Sequence, residues 1–140
     1  MVTRKELRVL YEDNHLLVVD KPVGVATMGV ASEETTMARL AASYLKDKYH
    51  KPGNIYVGIV SRLDRLVSGV LLMARTSKAA SRLSTQFRER EVNKRYLACV
   101  AGVVDGVSDR WYSRVDHLIK SESRQRMEIT VAGNSRAQEA

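Results

Sequence analysis

The sequence of 140 residues holds a single cysteine, Cys99, so an intrachain disulfide is excluded. A chain without disulfides suits a reducing compartment, and a cytoplasmic protein is expected. Little in it points to a membrane. The first residues, Met1-Val2-Thr3-Arg4-Lys5-Glu6, lack the apolar stretch of a signal peptide. An apolar run such as residues 70–74 is far too short to span a bilayer. Two cofactor chemistries find no footing. His15, His50 and His117 are scattered, with no metal-ligand spacing to Cys99 or to paired acids. No G-x-x-x-x-G-K-[ST] or G-x-G-x-x-G run is present, which leaves a nucleotide-cofactor fold without support. The expectations are no metal, no cofactor and no membrane partner.

What is present is positive charge. Lysine and arginine number 23 against 16 acids, a formal net charge of +7, and the pI is about 9.8. That balance favours a polyanionic partner, because cations that meet phosphates release condensed counterions. The length suits one domain with one modest core, so residues 1–140 are expected to form a single domain.

Residues 7–11 and 15–19 are apolar-rich runs around Glu12-Asp13-Asn14, which reads as a hairpin. Lys21-Pro22-Val23-Gly24 breaks the second strand, and Lys21 on that loop would reach RNA or, more simply, be an exposed turn residue. In residues 35–49, Met37, Leu40, Ala41, Tyr44 and Leu45 form one helical stripe, with lysines at its end and Pro52-Gly53 as its stop. Residues 55–60 and 68–73 read as strands. Ser77 reads as the cap of a second helix that buries Ala80, Leu83, Ser84 and Phe87. Residues 94–101 read as a central strand, with apolar residues on both faces. Further on, residues 111–119 read as extended and 126–131 as a strand. The order β-β-α-β-β-α-β-β implies an α+β fold with a mixed, largely antiparallel sheet flanked by helices.

Several residues stand out chemically. Arg62 and Asp64 point to one side if their segment is extended, and a neighbouring arginine favours an ionised carboxylate able to act as nucleophile or base. On spacing alone a surface ion pair is the simpler explanation. Lys94 and Tyr96 share a face by the same period: a tyrosine ring can stack on a base and a lysine can meet a phosphate, or the pair is a packed ring beside a snorkelling lysine. The series Arg75, Lys78, Arg82, Arg88 and Arg90 would line an RNA path or form a solvated helix face.

These signals occur in the order of one family. The run Ser61-Arg62-Leu63-Asp64-Arg65-Leu66-Val67-Ser68-Gly69-Val70-Leu71-Leu72-Met73-Ala74-Arg75-Thr76 resembles the H-R-L-D-x-x-T-S-G-L-L-L-x-A-K-T signature of RluA-type RNA pseudouridine synthases. Upstream, Val18-Val19-Asp20-Lys21-Pro22-Val23-Gly24 is similar to the family's first motif. Downstream, Gln86-Phe87 and the run from Val92 to Gly102 resemble its Q-F and K-x-Y motifs. Several motifs in order are far more specific than any one. The resemblance implies a pseudouridine synthase-like catalytic core that isomerises a uridine within structured RNA, rRNA or tRNA. Asp64 would be the nucleophile, Arg62 the arginine that orients it, Tyr96 the aromatic group that packs on the uracil, and Lys94 a basic residue nearby. Lys21 and Pro22 would be structural. No redox, metal or nucleotide cofactor is implied, because the isomerisation conserves the bond count.

The chain departs from the pattern in places. Ser61 stands for the usual histidine, and Val67 for the usual threonine, which removes a hydroxyl near the loop. Nothing matches the family's later G-R-x-H-Q-I-R type segment, so the domain is expected to be incomplete at its C-terminal end. An incomplete sheet edge would favour self-association. A catalytically silent RNA-binding domain, or a fragment that retains the scaffold, is the alternative reading.

Overall fold

The computed structural model describes residues 7–29, 34–97, 117–120, 127–130 and 138–139. Backbone contacts group the chain into two units, residues 1–96 and 97–140.

The first unit begins with the expected hairpin, β1 (Val9–Glu12) and β2 (Leu16–Lys21). Its turn is set by Asp13, whose Oδ1 accepts from the backbone N–H groups of His15 (2.7 Å) and Leu16 (2.6 Å). An aspartate that bonds its own backbone two and three residues on is a turn former, which is why Glu12-Asp13-Asn14 reverses the chain. Those two bonds, His15 first, hold the Asp13 carboxyl below its ordinary pKa.

Alternation then continues to the end of β2: Leu17, Val19 and Lys21 are buried, while Leu16, Val18 and Asp20 are half-buried. β2 pairs antiparallel with β4 (Gly69–Ala74), from Leu16 opposite Ala74 to Lys21 opposite Gly69. The far edge of β4 takes the short β3 (Gly58–Ile59), giving the sheet order β1-β2-β4-β3. The strand expected over residues 55–60 is thus two residues long, because the chain leaves the sheet at Val60 for the loop to β4.

Helix α1 (Met37–Lys48) follows the predicted stripe. Met37, Leu40, Ala41 and Leu45 are buried against Leu17, Val19, Leu71 and Met73. Each large side chain so placed contributes about 1.5–3 kcal/mol. Thr36 caps the helix, its side chain accepting from the Arg39 N–H, and Lys46 and Lys48 complement the dipole at the other end.

Helix α2 (Ser77–Arg88) is capped by Thr76, not by Ser77. Thr76 is the residue with extended backbone (φ −136°), and its hydroxyl accepts from the Ala79 N–H at 3.2 Å. The expected buried side is shallower than the stripe suggests: Ala80, Leu83 and Phe87 are half-buried and Ser84 is exposed. The helix comes close to the sheet at Gly58, where a Cβ would lie 2.8 Å from the Ala80 methyl. Only a glycine permits that approach.

The central strand expected over residues 94–101 is not found where the structure describes it. Residues 94–97 are outside any strand, and Lys94, Arg95, Tyr96 and Leu97 are all exposed. Apolar content makes a strand only when a neighbour supplies ladder bonds, and among the described residues none bonds to this segment. Residues 98–101 lie outside the described residues.

In the second unit, β5 (His117–Lys120) pairs antiparallel with β6 (Met127–Thr130) and β7 (Gln138–Glu139), in the order β6-β5-β7. β6 falls within the strand expected over 126–131 and β5 overlaps the extended segment expected over 111–119, whereas no strand is expected at β7. The fold is α+β, and its named strands pair antiparallel throughout; an isolated bridge between Ala26 and Thr36 is parallel.

At the turn end of the hairpin sits a closed polar cluster. The nearly buried Glu12 carboxylate accepts from Tyr44 Oη (2.9 Å), Lys48 Nζ (2.8 Å), Tyr49 Oη (2.5 Å) and Arg75 Nη1 (3.1 Å). The Arg75 guanidinium lies 4.7 Å from the centre of the Tyr49 ring and donates to the Asp13 carbonyl. Burial pushes the Glu12 carboxyl up, but the bonds from Lys48, Tyr49 and Tyr44 outweigh it and leave the carboxyl below its ordinary range.

Candidate active site

The candidate site is the loop over residues 60–68, between β3 and β4. Leu63 is its inward anchor, half-buried against the core formed by β2, β4 and α1. Arg62 and Asp64, on either side of it, are exposed. No ion pair joins them among the described residues.

Three sets of bonds fix the loop from outside. Thr27, 2% exposed, bonds both peptide groups of Leu63: its Oγ1 accepts from the Leu63 N–H (3.2 Å) and donates to the Leu63 carbonyl (2.7 Å). Gly24 and Arg65 exchange two bonds, Gly24 N to Arg65 O (2.8 Å) and Arg65 Nε to Gly24 O (3.0 Å). Gly24 sits at φ 88°, a conformation that glycine adopts without strain. Arg65 also pairs with Glu34 at 3.3 Å.

The third set belongs to Lys21, which is fully buried. Its Nζ donates to the carbonyls of Pro22 (3.1 Å), Arg65 (3.3 Å) and Val67 (2.6 Å). The expectation of an exposed turn residue is therefore corrected. Lys21 continues the inward alternation of Leu17 and Val19, so β2 carries it under the loop and away from solvent. Desolvation lowers its pKa, and the charge of Asp64 acts in the opposite direction. An ammonium with three donors matches three carbonyls, so the buried charge has hydrogen-bond partners without a carboxylate being consumed.

Inside the loop, the Val67 N–H donates to the Asp64 carbonyl at 3.0 Å, closing a turn with Asp64 first, a position that favours aspartate. The Asp64 main chain is therefore held on both sides, while its carboxylate has no side-chain partner among the described residues.

The other anticipated residues are not bonded to the loop among the described residues. Lys94 and Tyr96 are exposed, Tyr96 at 67%, and no hydrogen bond joins them to Asp64 among the described residues. The basic series divides: Arg75 is taken up by Glu12, and Arg88 lies 3.8 Å from Glu89. Lys78 and Arg82 line a groove of about 380 Å³ with His15, Leu16 and Gln86. Among the described residues no group of three His, Cys, Asp or Glu side chains is placed to hold a metal ion, and no helix is long and apolar enough to cross a membrane.

The fold places the chain in a known class. A human structure titled RNA Pseudouridylate Synthase Domain Containing 4 superposes with a TM-score of 0.54 over 63% of this chain and 33% of that one, at 23% identity, and shares its fold. The family model described as RNA pseudouridylate synthase matches residues 15–139, so the chain belongs to that family, and to its RluA type. It is 34% identical over 131 residues, 91% of its length, to ribosomal large subunit pseudouridine synthase D of Pseudomonas aeruginosa. It is 32% identical over 72% of its length to the mitochondrial tRNA pseudouridine(32) synthase of Saccharomyces cerevisiae. The chain spans 38% of the first relative and 20% of the second.

Proposed function

We propose that this chain isomerises a uridine to pseudouridine within structured RNA, with Asp64 as the nucleophile. The observation that carries the proposal is the Asp64 loop itself: its main chain is tied down by Lys21, Thr27 and Gly24, and its carboxylate is left exposed and without a side-chain partner. An oriented, accessible carboxylate is what a nucleophilic step requires. Two relatives carry names that specify rRNA and tRNA substrates, and the net charge of +7 suits either polyanion.

In the reaction, the N1–C1′ bond of the uridine breaks, the detached uracil turns within the site, and C5 bonds to C1′. The C5 proton is released and N1 takes one up, so the product is an isomer. Asp64 attacks C1′ or removes the C2′ proton. Arg62 is proposed to pair with and orient the Asp64 carboxylate once RNA is bound. Tyr96 and Lys94 are proposed to hold the uracil and its backbone, and the exposure of both leaves them free to do so. The target uridine leaves its stack at a cost of about a few kcal/mol, which cationic and aromatic contacts offset.

RNA carrying tritium at uridine C5 tests this. The intact protein is expected to release label to water and Asp64→Asn to release none, with RNA affinity retained. Retained binding without release by the intact protein would instead identify a silent RNA-binding domain.

A further inference from the structure

We infer that Thr27 is a positioning residue for Asp64, through which the N-terminus of α1 fixes the nucleophile. The inference rests on the isomerase reading and adds a residue that the sequence motifs do not mark.

Thr27 is held from one side and holds from the other. Its carbonyl accepts from the Ala38 N–H at 3.1 Å, and the preceding Ala26 carbonyl accepts from the Met37 N–H at 2.9 Å. Both donors belong to the first turn of α1, whose N–H groups have no partner within the helix. The Thr27 hydroxyl then spends its donor and its acceptor on the two peptide groups of Leu63. Leu63 directly precedes Asp64. A chain of hydrogen bonds thus runs from a packed helix, through one buried hydroxyl, to the residue before the nucleophile.

The geometry divides the labour around Asp64. Lys21 bonds the carbonyls of Arg65 and Val67, on the C-terminal side. Thr27 acts on the N-terminal side, where no other hydrogen bond to Leu63 is found among the described residues. Val67, which stands where the family signature has threonine, contributes only main-chain groups, its N–H to the Asp64 carbonyl and its carbonyl to Lys21. The hydroxyl anchoring this loop comes from outside it.

Space filling is the competing explanation, and valine has nearly the shape of threonine without its hydroxyl. Thr27→Val therefore removes the bonds and keeps the volume, while Thr27→Ser keeps the hydroxyl. Under single-turnover conditions at saturating RNA, Thr27→Val is expected to slow pseudouridine formation by about 10- to 100-fold, the scale of a nucleophile misplaced by an ångström. RNA Kd should stay within about twofold, since Thr27 is buried and meets no RNA. Thr27→Ser should recover most of the rate. Exchange of the Leu63 amide hydrogen should be faster in Thr27→Val than in either the wild type or Thr27→Ser.

Equal rates for Thr27→Val and the wild type overturn the inference, as does a Thr27→Ser variant as slow as Thr27→Val. Leu63 exchange unaffected by Thr27→Val overturns the anchoring itself, whether or not the protein is active. A wild type that makes no pseudouridine overturns the isomerase reading and with it the catalytic purpose of the anchor, a failure separate from that of the Leu63 bonds.

Discussion

The two ends of the β2–β4 ladder handle buried charge in opposite ways. At one end the Glu12 carboxylate is surrounded by Lys48, Arg75, Tyr44 and Tyr49. At the other the Lys21 ammonium is surrounded by three neutral carbonyls. Glu12 meets side chains, so the cluster closes on itself and locks the hairpin turn to α1 and to the start of α2. Lys21 meets main chain, so the loop is held in place while its side chains stay uncommitted. Fixing a loop through its backbone leaves Asp64 and Arg62 exposed, as the proposed site requires. The first arrangement serves stability and the second suits the proposed site.

Substitutions at the two ends should therefore separate activity from stability. The largest effect is expected at Asp64. Asp64→Asn should lower pseudouridine formation by at least about a thousandfold, as loss of a nucleophile does. The urea midpoint should change little, because the side chain is exposed and makes no hydrogen bond or ion pair among the described residues. A coincident fall in stability would mean that the carboxylate is structural. Next comes Lys21→Met, which fills similar space but removes a donor from three carbonyls, of which that of Arg65 keeps the Gly24 N–H. A destabilisation of about 2–3 kcal/mol is expected, with a loss of activity beyond the unfolded fraction. Activity per folded molecule equal to wild type would show that the loop keeps its shape without the ammonium.

Glu12→Gln should do the reverse, costing about 1–2 kcal/mol of stability and leaving activity per folded molecule intact. Its pH dependence sharpens the contrast. The folded carboxyl titrates below its unfolded range, so the folded state binds the proton less tightly than the unfolded one. The stabilisation is present above the ordinary glutamate value of about 4.3 and is lost as pH falls from there through the depressed folded value. Urea midpoints at pH 6 and pH 3.5 should differ more for wild type than for Glu12→Gln. Some difference should remain in the variant, because the Asp13 carboxyl is lowered as well. Equal acid sensitivity in both proteins would remove Glu12 from the account.

The same contrast explains what could be read from the sequence. Helix α1 was legible because Met37, Leu40, Ala41 and Leu45 carry its buried face at local spacing. Asp64 was legible as a candidate only through the order of motifs around it, since an arginine two residues away is common on surfaces. The burial of Lys21 was present in the alternation of Leu17 and Val19, one step further along. A lysine followed by Pro22 suggested a turn instead. Thr27 and Glu12 were not legible, because their partners lie 36 residues away at Leu63 and 32 to 63 residues away at Tyr44, Lys48, Tyr49 and Arg75. Local periodicity carries no information at that range. The strand expected over residues 94–101 failed over 94–97, the part that is described, from the opposite cause: local composition suggested a strand, and pairing depends on a neighbour.

The smallest expected effect tests whether backbone bonds or charges fix the loop. Arg65 makes one of each: Nε to the Gly24 carbonyl, and a pair with Glu34 in which both side chains are about half exposed. An exposed pair of this kind is worth about 0–1 kcal/mol and weakens with salt. Arg65→Lys keeps the charge that faces Glu34 and loses the Nε donor. If the loop is fixed through main-chain contacts, Arg65→Lys should lower activity about two- to fivefold and stability by less than about 1 kcal/mol, whereas Glu34→Gln changes neither. Added salt should leave the difference between the two variants in place. The opposite ranking, with Glu34→Gln the slower enzyme and salt reproducing its effect, would mean that the loop depends on surface charge, and the contrast with the Glu12 end would no longer hold.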